Sequence, residues 1–146
     1  MEDSTHSLKS LEVVTATLAS NKSLAEMAEC ALNAVRAETG ADATELFVLD
    51  APSQEMALAG HSGLFPEAFC QITRFPLGQG FPGLIAAYGQ PVQTDRLSAD
   101  KRYLRTLVKE KGFRYYLCLP LRSEPGIIGC LNLASRGQPI SMEASQ

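Results

Sequence analysis

The sequence predicts an α+β fold in which a central antiparallel β-sheet of five to six strands carries helices on both faces. Residues 44–49, Thr44-Glu45-Leu46-Phe47-Val48-Leu49, form a strand-like run with apolar residues at both parities, as expected where both faces of a sheet are covered. Ser123-Glu124-Pro125-Gly126 is turn chemistry between two further runs, 114–122 and 127–134, which closes a hairpin. Between these ends of the sheet lie short helix-length segments bounded by glycine or proline.

At 146 residues the chain is one domain by length, enough to bury roughly two thirds of the surface its unfolded form would expose. With 45% hydrophobic and 20% charged residues it reads as an ordinary soluble protein, and a formal charge of −3 offers no excess of base for a phosphate backbone, so no direct nucleic-acid partner is expected. The longest uncharged run, 75–94, carries four glycines, three prolines and three glutamines and is not a membrane span. Met1-Glu2-Asp3-Ser4-Thr5-His6 is no signal peptide, and a cytoplasmic location is expected. Cys30, Cys70, Cys118 and Cys130 share no short metal-ligand spacing.

The first element is a helix within residues 1–22. Leu8, Leu11, Val14, Thr15 and Leu18 recur at three- and four-residue steps and give a narrow apolar stripe suited to a helix–helix seam, so a homodimer is expected. The domain core spans 23–136. It opens with a capping box, Ser23 and Glu26, and a helix whose face Leu24, Met27, Ala28, Ala31, Leu32 and Val35 is core, stopped by Gly40. The strand at 43–49 follows, then a turn at Asp50-Ala51-Pro52-Ser53-Gln54, and a second strand ending at His61-Ser62-Gly63. A short helix starts at Pro66. Another fits between Gly83 and Gly89, and a third, capped by 97–100, bears Tyr103, Leu104, Leu107 and Val108 and ends at Gly112. The closing hairpin completes the core, and 137–146 form a tail.

Gly78-x-Gly80-x-x-Gly83 matches a dinucleotide-binding fingerprint on paper. The context is wrong: Gly89 and Pro91 end the following helix long before a crossover of roughly ten or more residues could form.

This order of elements, together with Leu77-Gly78-x-Gly80-x-x-Gly83, Gly89-Gln90-Pro91-Val92, Gly112-Phe113-Arg114, Leu117-Cys118-Leu119-Pro120-Leu121 and Ile127-Ile128-Gly129-Cys130-Leu131-Asn132-Leu133-Ala134, resembles the GAF domain, a sensory module of bacterial signalling proteins. The resemblance covers roughly residues 5 to 135. It implies a GAF-like, PAS-like sheet, a non-catalytic sensory role in a histidine kinase or transcription regulator, and a C-terminal helix and output domain beyond the tail.

The resemblance also implies a ligand pocket between the sheet and the short helices and loops of the middle third. Its candidate residues are Phe69, Phe75, Phe81, Leu84 and Val92 from the loops, and Tyr116, Cys118, Cys130 and Asn132 from the hairpin. Alternation places Tyr116 and Cys118 on one face and Tyr115, Leu117, Leu119 and Leu121 on the other; which face lines the pocket stays open. Tyr115-Tyr116 stand where many relatives carry a small residue, so a small or closed pocket is expected, with an unidentified small molecule as its ligand.

No cofactor is expected. His61 does not clearly match the axial ligand of heme-binding relatives, and the dispersed cysteines suit no iron–sulfur cluster. The array of cyclic-nucleotide-binding relatives is absent. The enzymatic relatives, free methionine-(R)-sulfoxide reductases, carry a cysteine directly before the glycine corresponding to Gly83. Here Pro82 stands there, and no cysteine lies between Cys70 and Cys118, so the chain is not expected to be an enzyme.

The hairpin loop decides how two cysteines meet. A three-residue loop, Ser123-Glu124-Pro125, sets Cys118 opposite Cys130; a two-residue loop, Glu124-Pro125, sets Cys118 opposite Leu131 and parts the sulfurs. The longer loop is expected, because Pro125 suits tight hairpin turns poorly. The two are read as structural thiols, with no basic residue within two positions of either.

Overall fold

A computed structural model describes residues 24–140, with side chains from Met27 onward. The stripe Leu8, Leu11, Val14 and Leu18, Ser23 and the end of the tail lie outside the described residues, as does the side chain of Glu26, so the capping box is not among them.

Helix α1 (Leu24–Thr39) leads into β1 (Ala43–Asp50), β2 (Glu55–Gly63), α2 (Pro66–Phe69), β3 (Arg74–Phe75), α3 (Gly80–Tyr88) and β4 (Val92–Thr94). A 3-10 turn (Leu97–Ala99), α4 (Thr106–Glu110), β5 (Tyr115–Ser123) and β6 (Gly126–Ser135) complete the domain. The six strands form one sheet in the order β3-β2-β1-β6-β5-β4, antiparallel at every junction. This is the α+β architecture the sequence predicts. No helix among the described residues is long and apolar enough to cross a membrane.

The double parity of β1 is explained by two cores. On the outer face Leu46, Leu131, Leu133 and Leu121 pack with Ala28, Leu32 and Val35 of α1. Gly60 lets α1 come close, since a Cβ there would meet Ala28 Cβ at 3.2 Å and Leu32 Cδ1 at 3.3 Å. Met27, expected on the core face of α1, is instead exposed at its margin. On the inner face Ala43, Phe47, Tyr116, Cys118, Cys130 and Ala134 meet the short helices and loops of the middle third.

The glycine pattern serves packing. Gly80 has φ 67°, and a Cβ on it would stand 2.6 Å from the Phe75 ring; a Cβ on Gly83 would stand 2.3 Å from the Pro76 carbonyl oxygen. Helix α3 therefore starts at Gly80, earlier than expected, and Gly89 ends it in a left-handed conformation, φ 71°.

Two expectations are corrected. The hairpin has the two-residue loop Glu124-Pro125, with Ser123 opposite Gly126, and then a bulge at Ile128 shifts the register. Cys118 consequently faces Asn132, and Cys130 faces Pro120. The positive φ of the turn falls on Gly126 (133°), which relieves Pro125 of it. The continuous helix expected over Tyr103–Val108 is also absent. Asp100 accepts hydrogen bonds from the backbone N–H of Arg102 (3.0 Å) and from its guanidinium (2.9 and 2.7 Å), a local turn that competes with helix. Arg105 then stays extended, φ −82° and ψ 95°, and only Thr106–Glu110 are helical.

Candidate functional site

Arg105 is extended because its side chain runs inward. Its guanidinium Nη1 donates to Glu45 Oε2 at 2.6 Å and to the Phe69 carbonyl at 2.9 Å; Nη2 donates to Glu45 Oε1 at 2.8 Å and to the Tyr116 hydroxyl at 2.9 Å. Both side chains of the pair are 1% exposed. Tyr116 donates in turn to Glu45 Oε1 at 2.6 Å and accepts from Asn132 Nδ2 at 2.7 Å, and the Cys118 thiol donates to Asn132 Oδ1 at 2.8 Å. Glu45 of β1, Tyr116 and Cys118 of β5 and Asn132 of β6 thus form one polar chain across the inner face, closed by Arg105.

The electrostatics follow from burial. Burial works against the Arg105 charge, but the adjacent Glu45 carboxylate outweighs it and holds the guanidinium well above its usual range. Burial first, and Glu45 second, push the Tyr116 hydroxyl well up, and burial pushes Tyr103 up too. Cys118 is raised by burial and by its contact with Cys130, its neighbour on the inner face. His61 sits opposite Glu45 on β2, its ring 4.8 Å from Phe69, and burial lowers its pKa. Among the described residues His61 Nε2, the Tyr103 hydroxyl and Arg105 Nε are buried without a hydrogen-bond partner.

The structure brings most of the sequence-derived candidates together. Phe69, Phe75, Phe81, Tyr116, Cys118 and Cys130 belong to the inner core, Asn132 is buried beside them, and Val92 packs against its edge. Leu84 does not join them: it lines an outer cleft of about 300 Å³ with Gly78, Gln79 and Leu104, while Ile85 takes the buried position on α3. A larger groove of about 550 Å³, lined by Gln93, Asp95, Arg114, Tyr115 and Ile140, lies along the β4–β5 edge.

Glu45, Tyr103 and Arg105 were not among those candidates. A carboxylate inside a strand covered on both faces was a usable signal for Glu45. Arg105 gave none, since the run Lys101-Arg102-x-x-Arg105 reads as a solvated helix face. Among the described residues, no group of three or more His, Cys, Asp or Glu could hold a metal ion.

A family model described as GAF domain matches residues 21–144. No curated protein matches the chain. Among solved structures, the chain is similar to the GAF domain of a phosphoenolpyruvate-protein phosphotransferase from Coxiella burnetii (TM-score 0.72, 20% identity, 97% of this chain and 86% of that one). It is also similar to free methionine-R-sulfoxide reductase from Neisseria meningitidis in complex with its substrate (TM-score 0.67, 20% identity, 91% and 75%). A third is the NreA protein of Staphylococcus aureus, mutated in its nitrate binding site (TM-score 0.67, 21% identity, 80% and 88%). At such identities the likeness is one of fold.

Proposed function

The chain belongs to the GAF domain family, and from that premise we propose that it is a non-catalytic sensory module of a bacterial signal-transduction protein, a histidine kinase or transcription regulator. It works as a cytoplasmic homodimer, and a small ligand under the sheet biases the helices that join it to the output domain.

The observation that carries this reading is the state of the inner face. Where a catalytic relative needs a thiolate next to open space, the two thiols of the inner face, Cys118 and Cys130, are 0% exposed, and burial holds Cys118 protonated; Cys30 and Cys70 lie exposed, away from that core. Cys118 is tied through Asn132 and Tyr116 to the Arg105–Glu45 pair, which with its aromatic neighbours fills the same inner face. A nucleophile that is neutral and sealed off cannot attack a sulfoxide sulfur.

The rival is a methionine-sulfoxide reductase, favoured by the likeness to the Neisseria meningitidis enzyme. A thioredoxin-coupled assay of NADPH oxidation with free methionine-(R)-sulfoxide separates them. The sensory reading expects no turnover above the no-protein control; turnover that Cys118→Ser or Cys130→Ser abolishes would establish the rival.

A further inference from the structure

Resting on the sensory reading, we propose that the inner face is a site for a small organic cation bearing N–H donors, such as an alkylguanidinium compound, and that Arg105 is its built-in occupant. The guanidinium carbon of Arg105 lies 5.6 Å from the ring centroid of Phe47, 5.3 Å from Phe69, 5.4 Å from Phe75 and 5.2 Å from Tyr103. Four aromatic faces and one carboxylate, Glu45, surround a single positive group. That is the arrangement by which proteins select organic cations over neutral molecules of the same shape. A buried ion pair by itself is weak evidence for stability, so a cage built around one calls for a further role.

The carboxylate and three of the four rings stand on other elements than Arg105; Tyr103 shares its connection. Glu45 and Phe47 stand on the central strand β1, paired on both sides. Arg105 stands in an extended connection between the 3-10 turn and α4, and its neighbours Arg102, Leu104, Thr106 and Leu107 are exposed. The cleft of about 300 Å³ lined by Gly78, Gln79, Lys101 and Leu104 gives this connection open space on its outer side. The basic residues there ride on the same segment, and Arg102 is already paired with Asp100 at 2.7 Å.

Arg105 also fits its cage incompletely. Its Nε, buried, has no hydrogen-bond partner among the described residues. When a free cation enters, Glu45 keeps a positive partner, so the exchange leaves no buried charge uncompensated. Arg105 and residues 101–107 then leave the inner face, and that displacement is the conformational signal.

Two measurements test the proposal. The first is thermal unfolding of Arg105→Ala with N-ethylguanidinium, a soluble copy of the lost side-chain end, or with N-ethylurea, its neutral counterpart. The expected result is a saturable rise in Tm at millimolar concentration with N-ethylguanidinium alone, absent in the double variant Arg105→Ala/Glu45→Gln. If Arg105→Ala does not fold unaided, recovery of its folded circular-dichroism signal on adding N-ethylguanidinium reads the same binding. Equal responses to both compounds, or none, overturn the cation site.

The second measurement is amide hydrogen exchange of the native protein. N-ethylguanidinium, but not N-ethylurea, should speed exchange across 101–107 several-fold. Binding to the variant with no change in the native protein overturns the ligand assignment and leaves the sensory reading in place with another ligand. Sulfoxide turnover would instead overturn the sensory reading without touching the result on Arg105→Ala.

Discussion

Glu45 and Arg105, sixty positions apart in sequence, form a bidentate ion pair with N–O distances of 2.6 and 2.8 Å. Through it the central strand holds the irregular connection before α4, and the Phe69 carbonyl and Tyr116 hydroxyl bring α2 and β5 into the same set of contacts.

Breaking such a pair from one side leaves an uncompensated buried charge, whereas removing both sides does not. Glu45→Gln and Arg105→Met are each expected to cost about 3–5 kcal/mol, and the double variant less than the sum of the two. Urea unfolding of the four proteins measures this cycle. Additive losses would mean that the two groups do not interact in solution.

The pH dependence of stability has two edges. His61 has a folded pKa lowered from 6.5 by burial, so the unfolded chain binds the proton more readily and stability falls as pH drops below about 6.5. Cys118, Tyr103 and Tyr116 have folded pKa values raised by burial above their ordinary 9.0 and 10.0. Their contribution is complete below about pH 9; it fades as pH rises and the unfolded chain ionises first. Unfolding free energies from pH 5 to 10.5 should form a plateau between these edges. His61→Gln should flatten the acid side and Tyr116→Phe should reduce the alkaline slope.

Gly83→Ala should destabilise by about 1–3 kcal/mol, because the new Cβ would stand 2.3 Å from the Pro76 carbonyl oxygen. Gly78→Ala meets no atom within 4 Å and carries only the strain of its φ of 83°, so it should cost less. Comparing melting temperatures decides whether packing explains the fingerprint-like pattern; equal losses would speak against it.

The same pattern shows how far sequence alone reached. Gly40, Gly63, Gly89 and Gly112 punctuate the chain at or next to the ends of its elements, and the apolar parity of β1 announced two covered faces. Local chemistry carries that information. The Glu45–Arg105 pair is long-range: nothing beside Arg105 in sequence distinguishes it from the exposed Lys101 and Arg102. The hairpin register failed for a related reason. The bulge at Ile128 has no marker of its own, and it turned the expected Cys118–Cys130 opposition into pairing of Cys118 with Asn132. The two thiols stayed on one face only because the shorter loop and the bulge together restore the parity that either one alone would change.

The stripe Leu8, Leu11, Val14 and Leu18 is expected to hold a homodimer. Native mass spectrometry should show a dimer that Leu11→Glu with Leu18→Glu converts to monomer, without loss of the sheet signal in circular dichroism. A wild-type monomer at high micromolar concentration would refute it.

The most direct test of the closed inner face is the Arg105 guanidinium itself, observed by nitrogen-15 NMR of the native protein. Held by four hydrogen bonds and four rings, its Nη protons should appear as separate, slowly exchanging resonances at pH 7, and these should vanish in Glu45→Gln. A single averaged, rapidly exchanging signal like that of a solvent-exposed arginine would place Arg105 outside the site and contradict both the sealed pocket and its cation occupant.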